Sequence, residues 1–110
     1  MAKYFGTDGI RGVVNQDLTC LLAYNVGKSL AIYLKKHKKT LSVLIGKDTR
    51  VSGDMLAYSF ASGLCDYGVT AKMIGIVPTG CVSYLASKLD VGAGVMITAS
   101  HNAPNMNGIK

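Results

Sequence analysis

Three short stretches hold the residue types that could do chemistry. The last, Ala99-Ser100-His101-Asn102-Ala103-Pro104-Asn105-Met106-Asn107-Gly108-Ile109-Lys110, follows the apolar run Val95 to Ile97. Such a run reads as a buried strand, and it delivers a hydroxyl, an imidazole and an amide in quick succession into a polar loop built to present Ser100. The first stretch, Gly6-Thr7-Asp8-Gly9-Ile10-Arg11-Gly12, sets three glycines at intervals of three around polar groups. Glycines allow positive φ and close backbone approach, so a loop of this kind carrying Arg11 suits an oxyanion; a tight turn with a surface arginine is the other reading. The intervals are wrong for a dinucleotide fingerprint. The middle stretch, Gly46-Lys47-Asp48-Thr49-Arg50-Val51-Ser52-Gly53, ends the β-rich run Leu41 to Ile45. It is either an anion site or a solvated turn with an internal ion pair.

The elements that must position these stretches follow from periodicity. Asp17 or Thr19 can cap a helix to about Lys36, with Leu22, Val26, Leu30 and Leu34 on one face. Ser52 can cap a second helix, Gly53 to Tyr67, whose inner face is Leu56, Phe60, Leu64 and Tyr67 and whose stop is Gly68. Val69 to Val77 reads as a strand with Val69, Ala71, Met73 and Gly75 on one side. Thr79 can cap a short helix to Leu89, striped by Val82, Leu85, Ala86 and Leu89. Short strands alternating with helices predict one three-layer α/β/α domain over residues 1–110. Its sheet is expected to hold about four strands, mostly parallel with right-handed crossovers, or mixed if the first strand runs the other way. Parallel strands share a C-terminal edge, where ligands of such sheets bind. Gly46 to Gly53, Pro78 to Gly80 and Ser100 to Lys110 would then line one crevice, with the Arg11 loop beside it.

Composition narrows the partner. Twelve Lys and Arg against six acidic residues, all Asp, give a net charge of +6 and favour an anion, with phosphate esters and nucleic acid both candidates. The most basic run, Lys35-Lys36-His37-Lys38-Lys39, lies at a predicted helix C-terminus, where cations favour the negative end of the dipole. No aromatics interleave with it as single-strand stacking would require, so no nucleic-acid partner is expected. No apolar run has membrane-spanning length and no signal-peptide core is present, so a cytoplasmic location without membrane contact is expected. Cys20, Cys65 and Cys81, odd in number and set among apolar residues, read as reduced core thiols.

Ser100-His101-Asn102 after a strand, with Asn107-Gly108-Ile109-Lys110 closing the loop, resembles the phosphoserine loop of the α-D-phosphohexomutases. Phe5-Gly6-Thr7-Asp8-Gly9-Ile10-Arg11-Gly12 resembles that family's opening motif, most closely in the branch acting on glucosamine phosphates. Gly46-Lys47-Asp48-Thr49-Arg50-Val51-Ser52-Gly53 looks like its second signature. The resemblance covers the whole chain but only the first of the family's four domains, so it implies part of a longer protein, inactive alone. Two departures stand out. Ala103 occupies the place where the family usually has proline, with Pro104 one residue later, and in Pro78-Thr79-Gly80-Cys81 glycine follows the threonine where the family favours proline.

The resemblance implies interconversion of glucosamine 6-phosphate and glucosamine 1-phosphate through a 1,6-bisphosphate; relatives acting on mannose or glucose phosphates share the chemistry. A phosphoryl group passing between hydroxyls goes through a loose, charged transition state, so the protein must align the two oxygens and neutralise the equatorial ones. By this resemblance Ser100 carries the phosphoryl group, Lys110 is the general acid or base and His101 assists. Arg11 faces the reacting phosphate; Lys47, Arg50 and Asn102 bind phosphate. A lysine titrates near ~10.4, so Lys110 needs neighbouring cations or burial to serve as a base. His101 as a loop hydrogen-bond partner and Lys110 as a surface lysine are the bland alternatives. The family's Mg²⁺ would take one oxygen from the phosphate on Ser100 and three aspartates from a following domain. A sugar phosphate is the expected partner, with a homodimer conceivable for the full-length protein. Two other classes compete: a basic, noncatalytic phosphate- or nucleic-acid-binding module, and a serine hydrolase. Adjacent Ser100 and His101 point apart in an extended chain and no nucleophile elbow surrounds them, which disfavours the hydrolase.

Overall fold

The computed structural model describes residues 10–16, 18–98 and 106–109. The chain runs β1 (Ile10–Val13), α1 (Cys20–Lys36), β2 (Ser42–Lys47), α2 (Gly53–Asp66), β3 (Thr70–Ile76), α3 (Thr79–Lys88), β4 (Ala93–Ile97) and β5 (Met106–Ile109). The five strands form one sheet in the order β1-β5-β4-β2-β3. Strands β4, β2 and β3 are parallel, whereas β5 pairs antiparallel with both β4 and β1. The expected α/β/α architecture with a mostly parallel, mixed sheet is therefore the one observed, with five strands rather than about four. The extra strand is β5, which falls in the Asn107-Gly108 stretch that reads as loop because both residues favour turns. Strand β1 is antiparallel to β5, its one strand neighbour among the described residues, and so runs in the same direction as β2, β3 and β4.

Strand β2 is central and buried on both faces, as parallel strands between helix layers are. Val43 and Ile45 face the larger core, which gathers Val26, Ala31 and Leu34 of α1, Leu56, Phe60 and Leu64 of α2, Val95 and Ile97 of β4, and Ile109 of β5. Full burial contributes about 1.5–3 kcal/mol for each large apolar side chain, which makes this layer the main support of the fold. Gly46, Gly94 and Met96 lie on the opposite face under α3, where Val82 packs close to both glycines.

The helices begin and end largely for the reasons the residues suggest. Thr19 caps α1, its Oγ1 accepting from Leu22 N at 3.1 Å; Asp17, the alternative cap, is outside the described residues. Lys35 and Lys36 fill the last turn. Gly68 stops α2 in the left-handed region, at φ +81°. Two expected caps are corrected. Ser52 stands at the α2 cap position in α-region backbone and makes no side-chain cap bond, and Pro78 rather than Thr79 takes the cap position of α3, with Thr79 already helical.

The β3 face also departs from simple alternation. The pairing of β2 with β3 runs Ile45 with Met73 and then Gly46 with Gly75, so Ile74 is an extra residue. Gly75, at φ +80°, absorbs this bulge and lands on the α3 side, opposite to Met73. Because β3 is an edge strand, Met73 remains 40% exposed instead of joining the core. The three cysteines are free thiols as expected, but Cys20 and Cys65 are exposed and Cys81 half-buried, since each falls off its helix's core stripe. Leu89 likewise lies outside α3 and is exposed. No helix among the described residues is long and apolar enough to cross a membrane.

A tether joins the outer sides of α1 and α2, where the Tyr24 phenol donates to an Asp66 carboxylate oxygen. That bond, reinforced by desolvation and the negative charge, raises the phenol above its ordinary value of 10.0. A group whose pKa is raised on folding stabilises below its unfolded pKa, and that contribution is lost as pH climbs through the folded value. Tyr24→Phe should therefore melt below the wild type near neutral pH, with the gap closing in strongly alkaline solution. Parallel melting curves for the two proteins at both ends of that range would expose a gap that fails to close.

Candidate functional site

The site is built where β2 and β4 end. Their register pairs Lys47 with Ile97, and the Asp48 amide donates to the Ile97 carbonyl at 3.2 Å, carrying the ladder one step beyond the strands. Val77 N donates to Lys47 O at 3.0 Å and ties in the end of β3. The turn that follows is organised by the Asp48 carboxylate. Oδ1 accepts from Arg50 N at 3.0 Å, a local Asx-type turn. Oδ2 accepts from Arg50 Nε at 3.3 Å and also from Thr98 Oγ1, the first residue past β4. Thr98 is 4% exposed, and its hydroxyl is thus satisfied by a charged acceptor rather than by solvent.

Lys47 is bound on the other side of the turn. Its ammonium pairs with Asp54 in the first turn of α2, and its stem runs past Gly53, where an added Cβ would come within 3.4 Å of Lys47 Cδ. Half of the sequence alternative for this turn is thereby realised, because Asp48 and Arg50 do form an internal ion pair. The Lys47 pair is peripheral, with the Asp54 side chain 61% exposed, and exposed pairs contribute only about 0–1 kcal/mol.

Register brings the first strand to the same edge. Ile109 of β5 pairs with Ile10 on one side and Ile97 on the other, and Ile97 is level with Lys47. Ile10, Ile109, Ile97 and Lys47 therefore form one row across the sheet. Since β1 and β4 run the same way, the backbone of Arg11 lies one residue beyond that row, as Thr98 and Asp48 do. The β1–β5 pair continues outward to Val13 and Met106, three residues past the row, or about 10 Å at strand rise.

Of the expected site residues, Lys47 and Arg50 are gathered at this edge together with the backbone of Arg11. Ser100, His101, Asn102 and Lys110 are outside the described residues, as are Ala103 and Pro104. Thr98 is the site residue that sequence reasoning passed over. Its signal was position, a hydroxyl two residues before Ser100, yet threonine at a strand end is too common to stand out. Asp48 was read only as half of an ion pair; nothing in the sequence links it to a residue fifty positions away.

The Mg²⁺ implied by the resemblance finds no ligand set among the described residues, and Ser100, the ligand expected from this chain, lies outside them. Magnesium requires near-octahedral oxygen donors. No group of three His, Cys, Asp or Glu able to hold a metal occurs among the described residues. Asp48 is committed to Arg50 and Thr98, and Asp54 to Lys47.

A mostly parallel sheet between helix layers, with Lys47, Asp48 and Arg50 gathered at the C-terminal edge of its central strand, defines an α/β/α domain. The chain matches, over residues 2–110, the family model described as phosphoglucomutase/phosphomannomutase, alpha/beta/alpha domain I, and it belongs to that family. Curated relatives are phosphoglucosamine mutases: that of Desulforamulus reducens is 49% identical and that of Bacillus subtilis 50% identical, each over this whole chain and 25% of its own length. Among solved structures, a phosphoglucomutase/phosphomannomutase family protein from Burkholderia thailandensis superposes with a TM-score of 0.88 at 29% identity, covering all of this chain and 26% of its own. A putative phosphomannomutase from Thermus thermophilus does so with a TM-score of 0.88 at 32% identity, covering 96% and 24%. The chain thus spans about a quarter of the length of the relatives it matches.

Proposed function

We propose that this chain is the phosphoserine-bearing domain of a phosphoglucosamine mutase, which exchanges a phosphoryl group between Ser100 and glucosamine phosphates in the cytoplasm. The observation that carries the reading is the register that sets Arg11, Thr98 and Asp48 one residue beyond a common row, with Lys47 in the row and Arg50 turned back onto Asp48. A cationic rim of this kind is what a transferring phosphoryl group needs, because catalysis of that step is mostly alignment and charge neutralisation.

In this proposal the P–O bond to Ser100 Oγ breaks as a sugar hydroxyl oxygen bonds to phosphorus, and the bisphosphate then turns over and returns its other phosphoryl group to Ser100. Lys47 and Arg11 meet the phosphate oxygens, and Arg50, braced on Asp48, holds the shape of the rim. Asn102 adds an amide donor, Lys110 moves the proton at the sugar hydroxyl and His101 assists it. Identity near 50% with phosphoglucosamine mutases favours glucosamine phosphate over mannose or glucose phosphates. The remaining three quarters of such an enzyme would read the sugar and complete the Mg²⁺ site, so this domain alone is expected to lack turnover. When bound, the metal would offset charge on the phosphate.

The full-length protein, incubated with Mg²⁺ and glucosamine 1,6-bisphosphate, should gain the mass of one phosphoryl group, mapped to Ser100 by fragmentation. Failure to find that mass, or its location on another residue, would overturn the proposal.

A further inference from the structure

The geometry points to Asp48 and Thr98 as a positioning pair: the Thr98 hydroxyl, held on the Asp48 carboxylate, sets the direction in which the chain leaves β4 toward Ser100. This rests on the role proposed for Ser100. Thr98 follows β4 directly and is 4% exposed, and Ser100 comes two residues later. A β-branched side chain has few χ1 wells, so anchoring Oγ1 selects one of them and couples the side chain to the backbone carrying it. The acceptor is itself immobile. The Asp48 backbone is bonded to Ile97 O, and its carboxylate accepts from both Arg50 N and Arg50 Nε, so it cannot swing without breaking several bonds. The pair thus joins the turn that carries Lys47 and Arg50 to the end of β4, the strand that precedes Ser100 in the sequence. The cationic turn and the end of β4 are held in one frame. Neither Asp48 nor Thr98 is assigned contact with the reacting atoms; they act through the placement of Ser100 relative to the rim.

The pair is tested in the full-length protein with Thr98→Val, which keeps volume and strand preference and deletes only the hydroxyl, and with Thr98→Ser, which restores it. Misplacing a reacting group by about 1 Å costs on the order of a hundredfold, so Thr98→Val should lower kcat about ten- to a hundredfold with KM for the sugar phosphate held within about twofold. Thr98→Ser should return kcat to within about threefold of wild type, because the anchoring Oγ is present again. Asp48→Asn, left with one acceptor oxygen for three donors, should show the same loss, and the double variant Asp48→Asn/Thr98→Val should be no slower than the slower single. Wild-type kcat in Thr98→Val, a loss that serine does not rescue, or multiplying losses in the double variant would each overturn the pair. If Thr98→Val does not fold, Asp48→Asn decides by the same split of kcat from KM. Intact mass separates the two levels. A wild-type protein that takes up no phosphoryl group at Ser100 removes the proposed function itself, whereas wild type and Thr98→Val exchanging it at equal rates removes only the pair.

Discussion

Replacing Ser100 with alanine is expected to lower turnover of the full-length protein by about 10⁴-fold or more, the scale on which removing a covalent nucleophile acts. The reason is chemical rather than structural. In the proposed exchange, a chain without Oγ carries no phosphoryl donor for the first transfer and no acceptor for the return, so the ping-pong cycle has no first step. Cations at the sheet edge cannot compensate, because they would lower the barrier of a transfer that no longer has a donor. Ser100 follows the apolar run of β4 in a polar stretch, so the alanine variant should keep its far-ultraviolet circular dichroism and its melting temperature. Mutase assays and intact-mass spectra on the same preparation give the answer. A folded Ser100→Ala protein with activity within tenfold of wild type would take Ser100 out of the mechanism.

The second large effect is on stability and has a sign that helix propensity gets wrong. Gly27 and Gly63 sit where α1 and α2 cross, and a Cβ on Gly63 would fall 2.1 Å from the Tyr24 carbonyl oxygen and 2.8 Å from Lys28 N. A Cβ on Gly27 would meet the Phe60 carbonyl oxygen at the same 2.1 Å. These neighbours are backbone atoms of a packed helix and cannot rotate away. In an exposed helix, glycine to alanine gains about 1 kcal/mol. Here the helices must separate, opening the layer that holds Phe60, Leu56 and Leu64, and overpacking of this kind costs about 1–3 kcal/mol or more. Gly63→Ala should therefore be destabilised by about 2 kcal/mol net, and Gly63→Val by more. Urea melts of the three proteins would decide it; an alanine variant as stable as wild type would mean that the helices do not approach so closely.

Much of the scaffold was legible because it depends on local rules. The spacing of Leu22, Val26, Leu30 and Leu34 marks α1, and the stop at Gly68 reflects a left-handed residue that only glycine takes without strain. The three cationic motifs stood out by composition, and their resemblance to one family agreed with the match over residues 2–110. Other features were hidden for equally physical reasons. Strand β5 has turn-favouring Asn107 and Gly108 at its centre and is held as a strand by ladders to β1 on one side and β4 on the other. The Gly75 bulge reversed a face that alternation had assigned, since one extra residue in an edge strand moves every later position across the sheet.

By itself, the sequence determined which groups are available: a hydroxyl in a polar stretch after an apolar run, cations after another such run, and an amphipathic frame able to carry them. Helix and strand periods, caps and glycine stops are set by neighbours three or four residues away, and so can be read along the chain. Only the tertiary structure decided that Asp48 holds Thr98 across fifty residues, that Lys47 leans on Asp54, and that Arg11 comes level with both strand ends. Those relations depend on strand order and register. Both are set when the whole chain buries its apolar faces at once, and no local stretch encodes them.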